Sequence, residues 1–296
     1  MVDMMKYKRG IYKTFIRIKR TWDEYKRNKI GLAGLILLSF FIAVAVIGPY
    51  ITPYKPNQLY IGTPLAPPNE KFLLGTDELG RDILTLVIYG TQISLIVGLV
   101  AAFISIIIGS ILGLLGGYYG GILSDILMRI TDMFIMMPWL PLMIVFAALF
   151  GSSIWNIMII IGITTWPTTA RTVMSQVLSL RERLFVEAVK AVGANDRYII
   201  FKTILPNTMP IIFTNGILSV AYAILYEAGL SFLGLGDPTH VSWGMILYYA
   251  NSCGAIVSGA WWYILPPGIC ITLLVLAFTL ISHGLDEVLN PRLRAR

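Results

Sequence analysis

Glu187, Lys190, Asp196, Arg197 and Lys202 crowd into one stretch, EAVKAVGANDRYIIFKTILP (Glu187–Pro206), set between two long apolar runs. The small residues Ala188, Ala191 and Ala194 lie among these charges. Gly193 can take the positive φ that closes a helix, and Asn195 or Asp196 can cap the next one. Pro206 marks the turn into the following apolar run. A charged helix–turn–helix with small residues showing suits docking by a soluble partner. The same residues also fit an amphipathic loop between two spans, and by themselves they leave both readings open.

Other ionisable groups in apolar surroundings are few, and such groups are costly in a membrane. Asp125, Arg129 and Asp132 stand at helical spacing, which predicts an ion pair within one helix. Glu227 is the only charged residue of its apolar run. It is either bonded within a helix bundle or faces a path through it, with Ser231 one turn further on. Catalytic constellations do not emerge. The two histidines, His240 and His283, belong to no HExxH pattern and to no metal-ligand cluster of recognised spacing. Gly116-Gly117-Tyr118-Tyr119-Gly120-Gly121 reads as a tight turn, because a phosphate-cradling loop needs Gly-Lys-Ser/Thr and the chain has no Gly-Lys pair. Cys253 and Cys270 are too few for a disulfide framework and receive no role.

The elements that must position these residues are membrane helices. The chain is 56% hydrophobic and 13% charged, where soluble domains average about a quarter charged. Apolar runs of spanning length recur at about 30–50, 92–115, 130–150, 154–171, 209–235 and 263–283. Backbone polar groups in hydrocarbon must pair within the segment, so the expected class is all-α with six transmembrane helices. Between the first two spans, 51–91 reads as a Pro-rich loop followed by a surface amphipathic helix capped by Thr76 or Asp77. A stripe of small residues (Gly98, Ala101, Ala102, Ser105, Gly109, Gly113) in the second span invites close helix packing. Pro138, Pro141 and Pro167 allow kinks. Trp243, Trp261, Trp262, Tyr248 and Tyr249 read as an aromatic belt at the outer interface.

Charge fixes the expected orientation. Residues 1–29 hold ten Lys/Arg against three acids, and they read as a basic amphipathic segment on the inner leaflet, with lipid rather than nucleic acid as its partner. By alternate loops, twenty basic residues fall on the side of the termini and three on the other. Positive loops stay inside, so both termini, the tail 284–296 and the loop 181–206 are expected in the cytoplasm. No cleavable signal peptide is expected, because the first apolar run begins only at Ile30 and is long enough to remain as an anchor.

Glu-Ala-Val-Lys-Ala-Val-Gly (Glu187–Gly193) with Ile204-Leu205-Pro206 resembles the EAA loop of bacterial and archaeal ABC importer permeases. Further motifs narrow the likeness: YKRNKIGLAGLILL (Tyr25–Leu38), GTDELGRD (Gly75–Asp82), EAGLSFLGLG (Glu227–Gly236), SWGMIL (Ser242–Leu247), PPG (Pro266–Gly268) and NPRLR (Asn290–Arg294). In this order they resemble the C-type permease subunit of dipeptide, oligopeptide and nickel importers, over nearly the whole chain. Val189, Thr203 and His283 depart from the usual pattern, at positions where an alanine, a histidine and an acid are common. The resemblance implies a type I ABC importer permease fold whose core, 92–283, carries a coupling helix seated in a groove of an ATPase subunit. Its docking residues would be Glu187, Ala188, Val189, Lys190, Ala191, Gly193, Ala194, Arg197, Leu205 and Pro206, while Glu227 and Ser231 are candidates for the translocation pathway or gate. It implies as partners a B-type permease, two ATPase subunits that hold the ATP and magnesium, and an external substrate-binding protein. The chain itself would bind no cofactor and catalyse no reaction.

Peptide is the expected cargo, with nickel or oligosaccharides as the family's alternatives. An ion-coupled secondary transporter is the competing class; such proteins place coupling carboxylates or inverted repeats at the midplane, and no repeated half is visible here. An intramembrane enzyme lacks a nucleophile paired with a histidine.

Overall fold

The computed structural model describes residues 22–289. Most of the expected basic segment 1–29 and the NPRLR motif lie outside the described residues. The helices are α1 (Lys29–Ile51), α2 (Ile83–Tyr119), α3 (Gly121–Met136), α4 (Trp139–Phe150), α5 (Ile154–Arg181), α6 (Leu184–Ala191), α7 (Asp196–Leu235), α8 (Trp243–Ser252) and α9 (Trp261–Leu289). Among the described residues the only extended pairing is an isolated bridge between Thr76 and Asp82.

The bundle is built around α2, which packs against α1, α3, α5, α7, α8 and α9. Small residues make this approach close. A Cβ added at Gly109 would stand 2.7 Å from the Trp166 carbonyl oxygen, and one at Gly113 would stand 2.7 Å from that of Ala170. All six residues of the expected stripe are buried in the structure. Where water cannot drive helices together, close backbone approach of this kind supplies the association.

Several elements differ from expectation. The surface helix and the second span are one helix of 37 residues, about 55 Å at 1.5 Å per residue. Its cap is neither Thr76 nor Asp77 but Asp82, whose carboxylate accepts from the Thr85 N–H at 2.9 Å. Thr76 and Asp77 are fully buried instead. Asp77 accepts from the N–H groups of Leu79 (2.9 Å) and Arg81 (2.7 Å) and from the Arg81 guanidinium at 2.5 Å. The 73–82 segment thus folds back on itself through Gly75 and Gly80, both at positive φ. The glycine-rich turn is likewise shorter than expected, for α2 runs through Gly116–Tyr119 and only Gly120 (φ 68°) and Gly121 (φ 55°) break it.

The third span is broken: α3 and α4 meet at 91° around Met137 and Pro138. Proline lacks the N–H that would continue the ladder, and its ring disfavours helical geometry in the residue before it. Pro141, in the first turn of α4, causes no bend of its own. The fourth span lies in α5, which is long enough at 28 residues but is not among the helices apolar enough to qualify. Four helices qualify, or five with the α3–α4 pair counted as one span. The polarity of α5 comes from Thr164, Thr165, Thr168, Thr169 and Arg171. Four of its hydroxyls are satisfied internally, Thr164 donating to the Ile160 carbonyl at 2.7 Å, Thr165 to Ile161 at 2.7 Å, Thr168 to Thr165 at 3.1 Å and Thr172 to Thr168 at 2.9 Å. Trp243 also leaves the expected aromatic belt: it is fully buried, and its indole N–H donates to the Val87 carbonyl at 2.9 Å.

Candidate functional site

The Glu187–Pro206 stretch forms a two-helix elbow. Helix α6 ends because Gly193 stands at φ 83°. The Gly193 N–H donates to the Lys190 carbonyl at 3.0 Å and the Ala194 N–H to that of Val189 at 3.3 Å. This reciprocal pair is the Schellman closure, and it needs a residue that tolerates the left-handed region at its turning point. Asn195 then opens α7, its side chain accepting from the Tyr198 N–H at 2.9 Å. Of the two caps the sequence allowed, Asn195 is the one used.

Burial divides the elbow into an anchored face and a free one. Val186 (2% exposed), Ile199, Ile200 and Ile204 pack with Leu114 and Tyr118 of α2 and Val173 and Val177 of α5. Val189, Ala194 and Leu205 border this cluster, partly buried. Glu187, Ala188, Lys190, Ala191, Gly193, Arg197 and Pro206 are exposed. Polar bonds add to the anchor: the Tyr118 hydroxyl donates to Asp196 at 2.6 Å, and Arg181 donates to the Tyr118 carbonyl at 3.2 Å. The first stretch of α7 (Ile199–Ile204) is wound with i→i+5 hydrogen bonds, a local widening often found at functional sites. Leu184, Phe185, Val192, Tyr198 and Phe201 are also exposed around the elbow. Sequence reading did not single them out, because an apolar residue beside a span is unremarkable until its face is known to be empty.

Glu227 and Ser231 lie near the other end of α7, both buried. The Ser231 hydroxyl donates to Glu227 Oε1 at 2.7 Å. They face α8, where a Cβ on Gly244 would stand 2.7 Å from that of Ser231. Close by, Asp237 ties α7 to α5. It accepts from the Thr239 hydroxyl at 2.6 Å and N–H at 2.9 Å, from the Ile154 N–H at 3.1 Å, and bonds His240 Nδ1 at 3.0 Å. Burial pulls the Asp237 carboxyl upward, but the bonds from Thr239, Ile154 and His240 outweigh it and hold it below the usual carboxylate range. Ser153, at the cap position of α5, makes no side-chain bond there; the cap comes from Asp237.

The expected Asp125–Arg129–Asp132 pair is not formed. Asp132 instead pairs with Arg171, joining α3 to α5. Helix α3 packs along α5, which puts an interhelical partner within reach. Near this pair a cavity of about 510 Å³ opens between α3, α4, α5 and α7, lined by Thr164, Thr165, Thr168, Asn215, Tyr222 and Tyr226 among others. Glu227 and Ser231 do not line it. A larger groove of about 750 Å³ between α1, α2 and α9 is almost wholly apolar.

Long apolar helices around a small-residue seam, with an anchored elbow at one end, define a multi-pass membrane protein of the permease type. The family follows from the sequence of the whole chain. Residues 105–295 match the model of the binding-protein-dependent transport system inner membrane component, and residues 17–68 match the N-terminal TM domain of oligopeptide transport permease C. The chain belongs to this family, as a C-type permease of ABC importers. It is 39% identical over 274 residues to the dipeptide transport system permease protein DppC of Bacillus subtilis (strain 168), covering 92% of this chain and 85% of that one. To the di/tripeptide transport system permease protein DppC of Pseudomonas aeruginosa (strain UCBPP-PA14) it is 35% identical, over 94% of this chain and 93% of the relative. The fold is also that of a solved permease. An inward-facing conformation of the MetNI methionine ABC transporter superposes with a TM-score of 0.55 at 22% identity, covering 70% of this chain and 95% of the other.

Proposed function

We propose that this permease carries short peptides, delivered by an external binding protein, through a pathway it forms with a second, B-type permease chain. Two ATPase subunits, which hold the ATP and magnesium, dock on the elbow, and both termini lie in the cytoplasm on the same side. The peptide assignment is supported by the dipeptide and di/tripeptide permeases that this chain resembles over more than nine-tenths of its length. The observation that carries the docking role is the division of the elbow into a buried and an exposed face. Glu187, Ala188, Lys190, Ala191, Gly193 and Arg197 are free to meet a partner, while Val186, Ile199 and Ile204 bear on α2 and α5.

This arrangement acts as a lever. A partner that closes on ATP displaces the exposed face, and the clustered isoleucines and valines transmit the displacement to the spans because a close-packed interior does not absorb it. Driving the pathway from inward-open to outward-open requires the ATPases to bind the elbow differently in the two states. Proteoliposomes holding the four-subunit complex, given labelled dipeptide, binding protein and ATP, test the whole reading. ATP-dependent uptake is expected. Uptake driven by an ion gradient without ATP would return the chain to the secondary-transporter class, and uptake of nickel or sugar but not peptide would change the cargo.

A further inference from the structure

The cavity between α3, α4, α5 and α7 is polar and yet uncharged. Among the described residues no Lys, Arg, Asp, Glu, His or Cys lines it, and Arg171 of α5 is engaged by Asp132. Its wall offers both halves of a hydrogen bond. The hydroxyls of Tyr222 and Tyr226, the Trp139 indole N–H and one amide proton of Asn215 are unspent donors among the described residues. Acceptors stand beside them: the Asn215 side-chain oxygen, and the lone pairs of Thr165, Thr168 and Ser219, whose own protons go to main-chain carbonyls. Rings complete the wall. Trp139 and Tyr226 stand 4.3 Å apart between centroids, Tyr222 stacks on Tyr226 at 6.2 Å, and Trp139 and Tyr222 are each about half exposed.

A peptide bond presents one N–H and one C=O, and leaving either without a partner once it has left water is costly. A neutral wall with donors and acceptors side by side meets both. We propose that this cavity is a subsite for the main-chain amide of a transported peptide. Tyr222, Tyr226 and Trp139 donate to its carbonyl, and the side-chain oxygens of Asn215, Thr165 and Thr168 accept from its N–H. The cavity volume falls within the range of small-molecule sites, roughly 300–1,000 Å³. The amide is the group that every peptide shares. An uncharged wall therefore admits cargoes whatever charges their side chains carry, whereas a fixed ion would hold one sign and repel the other. The want of Asp, Glu, His and Cys also leaves no carboxylate, imidazole or thiolate for a bare transition-metal cation. This inference rests on the peptide reading and adds to it where, and by which group, the cargo is held.

Two measurements on the reconstituted complex with its binding protein test it. The first compares a dipeptide with the matching depsipeptide, in which an ester oxygen replaces the amide N–H. Asn215→Leu removes a side-chain donor and acceptor at similar volume. In that variant dipeptide uptake per ATP hydrolysed is expected to fall about fivefold or more, and depsipeptide uptake only about twofold. The same binding protein serves wild type and variant, so its own preference between the two cargoes cancels. Tyr222→Phe is expected to lower dipeptide uptake about threefold. Ser39→Ala removes a hydroxyl that is likewise bonded to a carbonyl of its own helix, α1, outside the cavity, and is expected to stay within about twofold. In the second measurement an azidophenylalanine-containing dipeptide is photolysed during turnover. Its label is expected within 164–169 or 215–226 and is expected to be displaced by excess dipeptide; should the binding protein refuse the ester, this label alone decides. Equal falls for the two cargoes, label absent or found only elsewhere, or displacement by an oligosaccharide and not by dipeptide would overturn the subsite while leaving the permease reading intact. A wild-type complex that carries no dipeptide overturns both.

Discussion

Two residues carry most of the local argument. Gly193 holds the elbow closed at φ 83°, yet a Cβ there would meet nothing within 4 Å. The cost of replacing it is therefore backbone strain alone, about 1–3 kcal/mol for a residue that avoids the left-handed region. Gly193→Val is expected to open the turn and lower uptake per ATP, or to prevent ATPase assembly; Gly193→Asn, which tolerates that conformation, is expected to keep both. Co-purification of the ATPases and the ratio of uptake to hydrolysis read the difference. Asp237 carries a pH dependence. Its carboxyl lies below the usual range in the folded protein, so its contribution is fully present above the ordinary carboxylate pKa of about 3.9 and is lost as pH falls through its depressed value. Thermal unfolding in detergent is expected to show an acid limb below about pH 4 that Asp237→Asn flattens.

At the scale of elements, the contacts of the elbow decide whether it can move the bundle. Ile204 is fully buried in the cluster that joins α7 to α2 and α5. Ile204→Ala is expected to destabilise by about 2–5 kcal/mol, the range for large-to-small changes in packed interiors. Unlike a surface change, it should also weaken coupling, since the lever then bears on a void. Melting temperature and uptake per ATP falling together would bear this out; a normal ratio would place the transmission elsewhere. The cap of α2 is a second test of element design. Asp82→Ala removes the acceptor for Thr85 N–H and is expected to cost about 0.5–2 kcal/mol, whereas exposed Glu70 is expected to change little when truncated.

For the whole molecule, the elbow and the Pro-rich 52–82 segment must lie on opposite sides of the membrane if the positive-inside count holds. After replacement of Cys253 and Cys270, a cysteine at Ala191 is expected to react only with reagent admitted to the cytoplasm, and one at Leu59 only with reagent outside. Labelling of position 191 from outside would remove the ATPases from reach of the elbow. The exposed apolar residues Leu184, Phe185, Val192, Tyr198 and Phe201 belong to this scale too, because none of the described residues covers them.

How much was legible in the sequence follows from the range of the interactions involved. The helix-ending Gly193, a cap at Asn195, the small-residue stripe of α2 and the all-helical class were readable, because turn geometry, capping and backbone satisfaction are local. The partner of Asp132, the burial of Trp243, the merging of two expected elements into α2 and the right-angled break at Pro138 were not. Each depends on what lies across from a residue. Spacing along one helix offered Arg129 to Asp132, but the packing of α3 on α5 set Arg171 opposite it. Thr164, Thr165 and Thr168 keep α5 from qualifying as an apolar span; only the packing of α5 against α2 and α7 shows that this polarity lines a cavity. Sequence by itself determined the all-helical class and where the elbow turns, while the tertiary structure decided which faces meet and which stay empty, since facing requires three-dimensional contact that no local periodicity encodes.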